Sequence, residues 1–385
     1  MSNYSLPIKA SFSDIETAFD VIRREPGAAL TLPVILKEKG SLGVEGLLCQ
    51  LIATWMRVNS DSRVYQSLGD ESDRYNFESL CSSLYGTCAL HYATDVLGSN
   101  GEHVKKSEAL ESAYSSVRSV LAGKYTFAYP DDYVTMFSFR SKGASKEYNN
   151  KLYMGSDSLN REYVRNVILD VIKSVVSKEH YNYISEFMDS ASSIVSELYD
   201  NTHNHSRHDI DGSILSENFR AIIIDSSEMN PSRLIELCNC GIKGMLGVYT
   251  DWAGWMAVHE KNIPILNITV VDSGPGFARR WTSKSINELT LEDEIEAIEA
   301  CFTKNRTTSS NHASGSGLAH VMRDIQKLKG LLTLRTGRIL VSKSFHNGEG
   351  SIKVLKNDMV PRDSFVEGVS FNISVPLVNV ENIDV

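Results

Sequence analysis

Residues 196–208, with the sequence SELYDNTHNHSRH, contain the spacing on which the interpretation of the fold depends. Glu197, Asn201 and His205 follow one another at intervals of four residues, and each interval advances a helix by about 40° beyond a full turn. Their side chains would therefore form one slanting row along a helix. An amide oxygen is a hard, neutral ligand for Mg²⁺, and a carboxylate one turn away can deprotonate a water molecule. The polar face of an ordinary amphipathic helix would have the same pattern.

The same stretch contains two further histidines, His203 and His208, beside His205. Neutral imidazoles are common ligands of transition metals, so one interpretation is a metal site made of all three histidines. The alternative is a helix end at which His203 and His208 are exposed to solvent. We expect the second arrangement, with both residues at the surface.

The composition excludes several classes of protein. Of the 385 residues, 42% are apolar and 23% are charged, as in ordinary globular proteins. A formal net charge of −9 disfavours a protein that mainly contacts phosphate backbones, so nucleic-acid binding is not indicated. No run reaches the roughly 18 apolar residues that a membrane span needs. The first residues lack the pattern of an export signal, and the six cysteines form no disulfide framework. We therefore expect a cytoplasmic protein with reduced thiols.

Hydrophobic periodicity divides the chain into two regions that meet in the polar stretch 140–158. Residues 1–150 predict an N-terminal α/β domain that senses a signal or binds a partner, with a strand at 29–36 and a helix at 44–57. In residues 151–385, helices are predicted at 160–178, through the SELYDNTHNH segment, at 231–239 and at 317–329. Strands are predicted at 219–224, 265–271, 331–335, 338–343 and 369–375. Helices followed by mostly antiparallel strands predict a two-layer α/β sandwich.

Two glycine-containing motifs lie in the local structure that a ligand site would need. Asp272-Ser273-Gly274-Pro275-Gly276 directly follows an apolar strand, which puts a carboxylate at the mouth of a site and lets backbone approach a ligand closely. The segment 314–319 (SGSGLA) opens a helix, where free backbone N–H groups and the positive helix end suit phosphates. Each motif alone also fits an ordinary turn or helix entry.

Taken together, the three motifs resemble those of the GHKL superfamily, which includes type II topoisomerase ATPases, the ninety-kilodalton heat-shock chaperone, histidine kinases and MutL-like mismatch-repair ATPases. Glu197-x-x-x-Asn201-x-x-x-His205 resembles the N box of that family, DSGPGF its first glycine box and GSGLAH its second. The segment 368–377 (GVSFNISVPL) resembles its closing strand, although Val369 stands where threonine is frequent. The resemblance covers about 159–378 and implies a Bergerat-type ATP-binding fold with a mixed, mostly antiparallel sheet.

The resemblance also implies a role for each matched residue. Asn201 would ligate the Mg²⁺ that bridges the ATP phosphates, Glu197 would be the general base for the attacking water, and Asp272 would bind the adenine amino group. The remaining implied ATP-binding residues are His205, Gly274, Gly276, Gly315, Ser316, Gly317 and Leu318. Residues 277–314 would form the ATP lid, a long polar loop that orders around nucleotide. Within it Lys304, Arg306 and Thr308 are candidates for phosphate contact, with a solvated surface loop as the alternative.

The spacing departs from compact members of the family because 71 positions separate Asn201 from Asp272. Residues 226–262 are therefore predicted to be an insertion. They include Trp252 and Trp255 in TDWAGW, which would either pack in the core or anchor a partner.

Three functions are consistent with these motifs. The first, which we favour, is an ATPase that acts as a nucleotide-driven switch on a protein partner, because Glu197 supplies the base that hydrolysis needs. The second is a serine/threonine or histidine kinase, although His180 lies only 17 residues before Glu197 and is poorly placed as a phosphoacceptor. The third is an ATP sensor or adaptor that does not hydrolyse. The family resemblance also implies an ATP-dependent homodimer.

Overall fold

The computed structural model describes residues 3–34, 36, 41–67, 72–127, 133–144, 147–148, 150–153, 159–230, 245–257, 262–303, 317–347 and 352–377. These residues form a mixed α/β protein with two sheets, which confirms the predicted class. Across these ranges, none of the helices has the length and apolar character needed to span a membrane.

The helices lie in both regions of the chain. They are α1 (Phe12–Arg24), α2 (Val44–Val58), α3 (Asp73–Leu80), α4 (Leu84–Tyr92), α5 (Lys106–Ala109), α6 (Ala113–Leu121), α7 (Arg161–Val175), α8 (Tyr181–His205), α9 (Met245–Ala257), α10 (Gly276–Thr282), α11 (Leu291–Cys301) and α12 (Gly317–Lys327).

The strands fall into two groups by length. The first group is short: β1 (Asn3–Ser5), β2 (Ala29–Thr31), β3 (Val64–Gln66), β4 (Asp95–Leu97) and β5 (His103–Val104). The second group is longer: β6 (Tyr133–Arg140), β7 (Asn218–Met229), β8 (Ile263–Asp272), β9 (Leu331–Ser344) and β10 (Met359–Pro376).

The short strands form one sheet in the order β1-β2-β3-β4-β5, in which the first four strands are parallel and β5 is antiparallel. The long strands form the second sheet in the order β6-β7-β8-β10-β9, and every pair in it is antiparallel. The central strands β8 and β10 pair from Asp272 opposite Val369 to Ile265 opposite Pro376.

Helices cover both faces of the second sheet. On one face α8 packs against β7 and β8, α7 packs against α8 and β7, and α12 packs against α8. On the other face α2 packs against β8 and β10, and a Cβ at Gly46 would lie 2.4 Å from Thr269 Cγ2. The predicted two-layer sandwich is therefore corrected in one respect: the face expected to be open is covered by a helix from the N-terminal region. The close contact is possible because Gly46 has no side chain.

The covered face carries polar side chains that bond to one another. Thr269 Oγ1 donates to Asn372 Oδ1 at 2.7 Å, and Ser374 Oγ donates to Asn267 Oδ1 at 2.6 Å. Asn267 Nδ2 donates to Asp225 Oδ1 at 2.9 Å. Because buried polar groups need partners, this network lets a polar face lie under α2 without a large desolvation cost.

The second sheet also includes a strand from before the predicted domain boundary. Strand β6 pairs with β7 from Tyr133 opposite Asp225 to Arg140 opposite Asn218. The sheet therefore begins at Tyr133, within the region predicted to belong to the N-terminal domain.

Most element predictions are confirmed, with three differences. The helix predicted at 44–57 is α2, and the strands predicted at 331–335 and 338–343 are one strand, β9. The strand predicted at 29–36 is confined to β2. The predicted lid, 277–314, is not a loop throughout, because α10 and α11 occupy much of its described part. The helix predicted at 231–239 lies outside the described residues.

The predicted insertion, 226–262, is described in part. Strand β7 extends through its first residues and α9 lies near its end. Trp252 is fully buried and donates from Nε1 to the carbonyl oxygen of Lys329 at 3.0 Å, while Trp255 is partly buried against the core. Trp252 therefore packs in the core, which is one of the two arrangements expected from the sequence, and the alternative of a partner anchor does not apply to this residue.

Candidate functional site

Helix α8 presents the Glu197, Asn201 and His205 row. Its apolar stripe, which includes Ile184, Ala191 and Val195, is buried against the rest of the core. This burial fixes the rotation of the helix, so that Asn201 and His205 line a cavity of about 120 Å³ between α8 and the second sheet. The spacing therefore puts Asn201 and His205 at one cavity, whereas Glu197 is not among the residues that line it.

The turn after β8 brings the first glycine motif to the same cavity. Gly274 N–H donates to Asp272 Oδ1 at 2.8 Å, and Gly368 N–H donates to the Gly274 carbonyl oxygen at 2.7 Å. A Cβ at Gly274 would lie 2.5 Å from Ser206 Cα, so a larger residue would push the turn away from α8. Gly276 has a φ of +77°, which L side chains rarely adopt.

The carboxyl group of Asp272 is almost entirely buried at the cavity wall. Burial raises the pKa of Asp272 to about 7, against the opposing effect of the Gly274 amide and the Arg220 guanidinium. A carboxyl group in this environment favours a ligand that brings its own hydrogen-bond donor, because the ligand then replaces part of the lost hydration.

The second glycine motif meets the first at the start of α12. A Cβ at Gly317 would lie 2.6 Å from Glu197 Oε2 and 3.9 Å from Asn201 Nδ2. A side chain at position 317 would therefore displace the Glu197 carboxylate from its place beside the start of the helix. Gly317 and Leu318 also line the cavity. Gly315 and Ser316 lie outside the described residues, as do Lys304, Arg306 and Thr308 of the predicted lid.

The cavity contains residues that the sequence motifs did not single out. Phe277, Arg280 and Trp281 enter it from α10, directly after the first glycine motif, and Cys301 enters from the end of α11. The sequence GFARRW has a cation flanked by aromatic residues within one helical turn, which is the signal that could have found them. The complete lining is Leu198, Asn201, Thr202, His205, Ser206, Val270, Asp272, Pro275, Gly276, Phe277, Arg280, Trp281, Cys301, Gly317, Leu318, Val369 and Phe371.

His205 has an unusual environment at this wall. Its Nδ1 atom is buried and has no hydrogen-bond partner among the described residues. Burial lowers the pKa of His205, and the positive charge of Arg280 lowers it further. His205, which lines the cavity, is therefore a neutral imidazole near pH 7.

His203 is not a surface residue, which corrects the prediction. It is 1% exposed, and its Nδ1 atom lies 3.0 Å from Nη2 of the buried Arg220. Burial and the neighbouring guanidinium of Arg220 lower the pKa of His203 to about 3. His208 is half-buried. His203 points into the protein because β7 carries Arg220 toward it, a contact that the helix spacing alone could not reveal.

The three histidines do not form a metal cluster in the described part of the chain. In that part of the chain, the candidate metal-ligating side chains whose ligand atoms lie within 4.8 Å of one another are Glu179, His180 and Glu228. The alternative of a transition-metal site at His203, His205 and His208 is therefore not supported by geometry.

Helix α2 supports the site from behind the sheet. Arg57 Nη2 donates to the carbonyl oxygen of Ser273 at 3.0 Å, and Gln50 Nε2 donates to that of Gly368 at 3.3 Å. Thr54 Oγ1 accepts from the N–H of Glu367 at 3.1 Å. These three bonds hold both segments that position Asp272.

Comparison of the chain with protein-family models, curated proteins and solved structures finds no match. The case for a function consequently depends on the site itself.

Proposed function

We propose that the chain is an ATP-binding protein of the GHKL type, with residues 151–385 forming a Bergerat-type domain. One observation carries the proposal: residues from all three motifs line one cavity. Asn201 and His205 come from α8, Asp272 and Gly276 from the end of β8, and Gly317 and Leu318 from the start of α12. Motifs that lie as far apart in the sequence as Asn201 and Gly317 thus contribute to one concave site, as expected of residues that bind a common ligand.

Within this class, we propose a hydrolysing switch that acts on a protein partner. In the reaction, water attacks the γ-phosphorus, the bond to the ADP oxygen breaks and the water proton passes to the Glu197 carboxylate. Glu197 suits this role because its Oε2 atom faces the start of α12, where phosphates would bind. Asp272 accepts a hydrogen bond from the adenine amino group, and Phe277 and Phe371 provide apolar walls for the base.

The donor set also fits Mg²⁺. Asn201 offers a neutral amide oxygen at the cavity, next to the segment where phosphates would lie, and Mg²⁺ prefers oxygen ligands that leave room for water and phosphate. When bound, the ion would neutralise charge on the β- and γ-phosphates. Asn201 would hold it, and Gly317 keeps the space beside Asn201 free of a side chain.

Residues 1–150 would sense a signal or bind the partner, and a cytoplasmic location and an ATP-dependent homodimer belong to the same proposal. A kinase or a non-hydrolysing sensor is the alternative. His91, which lies upstream of the motifs, is a poor phosphoacceptor because it is half-buried and its Nε2 atom is hydrogen-bonded to Ser141 Oγ at 2.9 Å.

The test is nucleotide binding and phosphate release by the purified chain with Mg²⁺, in the wild type, Glu197→Ala and Asp272→Asn. We expect Glu197→Ala to keep ATP binding and to lower turnover by about a hundredfold or more, because it removes the general base. We expect Asp272→Asn to weaken binding of adenine nucleotides.

Two matched controls separate these effects from general damage. Glu162→Ala removes an exposed glutamate of α7, and Asp225→Asn alters a buried aspartate that bonds to Asn267 on the face of the sheet covered by α2. Both should bind and hydrolyse ATP like the wild type. Binding without turnover in the wild type would favour a kinase or a sensor, and the absence of binding would refute the ATP site.

A further inference from the structure

Glu197 forms an ion pair with a residue that lies outside the three motifs. Arg161, the first residue of α7, donates from Nη2 to Glu197 Oε1 at 2.6 Å. The Arg161 side chain is 78% exposed, whereas that of Glu197 is only 21% exposed. The contact therefore joins a solvent-exposed cation to a carboxylate that is largely enclosed at the proposed site.

The two carboxylate oxygens of Glu197 have different surroundings. Oε1 accepts from Arg161, while Oε2 faces Gly317 at the start of α12. A carboxylate at the end of a long side chain turns easily about its last bond. A donor on one oxygen limits this rotation and keeps the other oxygen directed to α12.

A neighbouring negative charge increases the need for such a restraint. Asp200 lies three residues after Glu197 on α8, so the two carboxylates are neighbours on the helix surface and repel each other. The positive charge of Arg161 acts on both groups and opposes the repulsion.

We infer that Arg161 is a positioning residue for hydrolysis, which orients the Glu197 carboxylate so that Oε2 faces the attacking water. The inference rests on the proposed function, since it assigns a role in the same reaction. Arg161 acts through Glu197 and does not itself contact the reacting atoms.

A second ion pair between the same helices provides a matched control. Arg165 lies one turn after Arg161 on α7, and its Nε atom donates to Asp189 Oδ1 on α8 at 2.9 Å. If Arg161 only joined α7 to α8, removal of either arginine should have the same consequence.

The experiment measures kcat, KM and the affinities for ATP and ADP in Arg161→Ala, Arg161→Lys and Arg165→Ala. We expect Arg161→Ala to lower kcat about fivefold, the factor that corresponds to about 1 kcal/mol for an exposed ion pair, with both affinities unchanged. Arg161→Lys should restore part of the loss because it keeps the charge with a single donor group. Arg165→Ala should match the wild type.

The same substitution in a Glu197→Ala background decides whether Arg161 acts through Glu197. We expect Arg161→Ala to cause no further loss of the residual turnover there, because effects of residues that act as a unit are not additive.

Several results would overturn the inference. Equal turnover in Arg161→Ala and Arg165→Ala would reduce the pair to a helix-to-helix contact. A selective loss of ATP affinity over ADP affinity would indicate direct contact of Arg161 with the terminal phosphate. An increase in kcat would mean that Arg161 holds the Glu197 carboxylate away from its catalytic orientation. Failure of the wild type to hydrolyse ATP would instead refute the proposed function, and the inference with it.

Discussion

Replacement of Asp272 by asparagine should stabilise the protein while it weakens the proposed adenine contact. Burial raises the pKa of this carboxyl group from 3.8 to about 7. A shift of about three pKa units, at about 1.4 kcal/mol each, means that the charged form costs about 4 kcal/mol in the folded state. Asparagine has nearly the same shape and no charge, so it removes this cost.

Because the pKa of Asp272 is raised in the folded state, the wild type should lose stability relative to Asp272→Asn as the pH increases. Below about pH 4, Asp272 is protonated in both the folded and the unfolded chain, and its ionisation costs no stability. Between about pH 4 and pH 7 the unfolded chain loses this proton and the folded chain keeps it, so the wild type is progressively destabilised. Above pH 7 the cost is constant. The advantage of Asp272→Asn should therefore increase by about 2 to 3 kcal/mol from pH 5 to pH 8.

One opposing term does not depend on pH. The Gly274 and Val369 amides donate to the carboxylate, and the asparagine amide group can accept at only one of its two positions. The backbone N–H that faces the NH₂ group of the asparagine would have no acceptor, which costs about 1 to 3 kcal/mol at every pH. The change in stability between pH 5 and pH 8 is thus the diagnostic quantity, since this term cancels from it.

The measurement is the free energy of unfolding in urea at pH 5, 6, 7 and 8 for the wild type and Asp272→Asn. Asp211→Asn is a control without pH dependence in this range, because hydrogen bonds from Ser213 lower the pKa of the exposed Asp211 and keep it ionised throughout. Its stability relative to the wild type should stay constant from pH 5 to pH 8. A stability difference for Asp272→Asn that stays constant from pH 5 to pH 8 would refute the buried-charge reasoning.

Two further predictions concern the support of the site. Gly368→Ala should lower the free energy of unfolding by about 2 to 4 kcal/mol, because φ is +72° and a Cβ would lie 1.9 Å from the carbonyl oxygen of Asp272. Gly27 is the control, since its φ is +91° but its surroundings are open, and Gly27→Ala should cost only about 1 kcal/mol in the same urea titration. Equal costs for the two substitutions would contradict the steric argument. A fragment of residues 151–385 should be less soluble and melt at a lower temperature than the full chain, since it lacks β6 and α2. Thermal unfolding of both proteins, followed by circular dichroism, tests this prediction. A fragment as stable as the full chain would instead establish an independent domain.

The sequence predicted the parts of the protein in which the signal is local. The row of Glu197, Asn201 and His205 lies within three turns of one helix, and the glycine motif follows a strand whose apolar run is continuous. In both cases the residues that specify the backbone are also the residues that would contact a ligand. Positions such as Gly274, where a Cβ would meet Ser206, add a steric requirement that only the folded chain makes explicit.

The sequence could not predict contacts between distant segments. Alternation in β8 and β10 puts Thr269 and Asn372 on the face opposite the cavity, and a polar face normally indicates solvent. The polar groups bond to one another instead, and Gly46 lets α2 approach them closely. The local sequence pattern predicts neither the hydrogen bonds between strands nor the packing of α2, which lies more than 200 positions away.

The N-terminal region affects the geometry around Asp272 through the groups that α2 contacts. Asp272 is positioned by the turn at Ser273 and by Gly368 of the neighbouring strand, whose carbonyl oxygens accept from Arg57 and Gln50. Arg57 is largely buried, and its second bond, to the carbonyl oxygen of Glu217, ties the start of β7 to the same side chain. A buried guanidinium that bonds two carbonyl oxygens cannot lose them without a large desolvation cost. A displacement of α2 must therefore move the turn or break these bonds, and in either case it changes the geometry around the Asp272 carboxyl group.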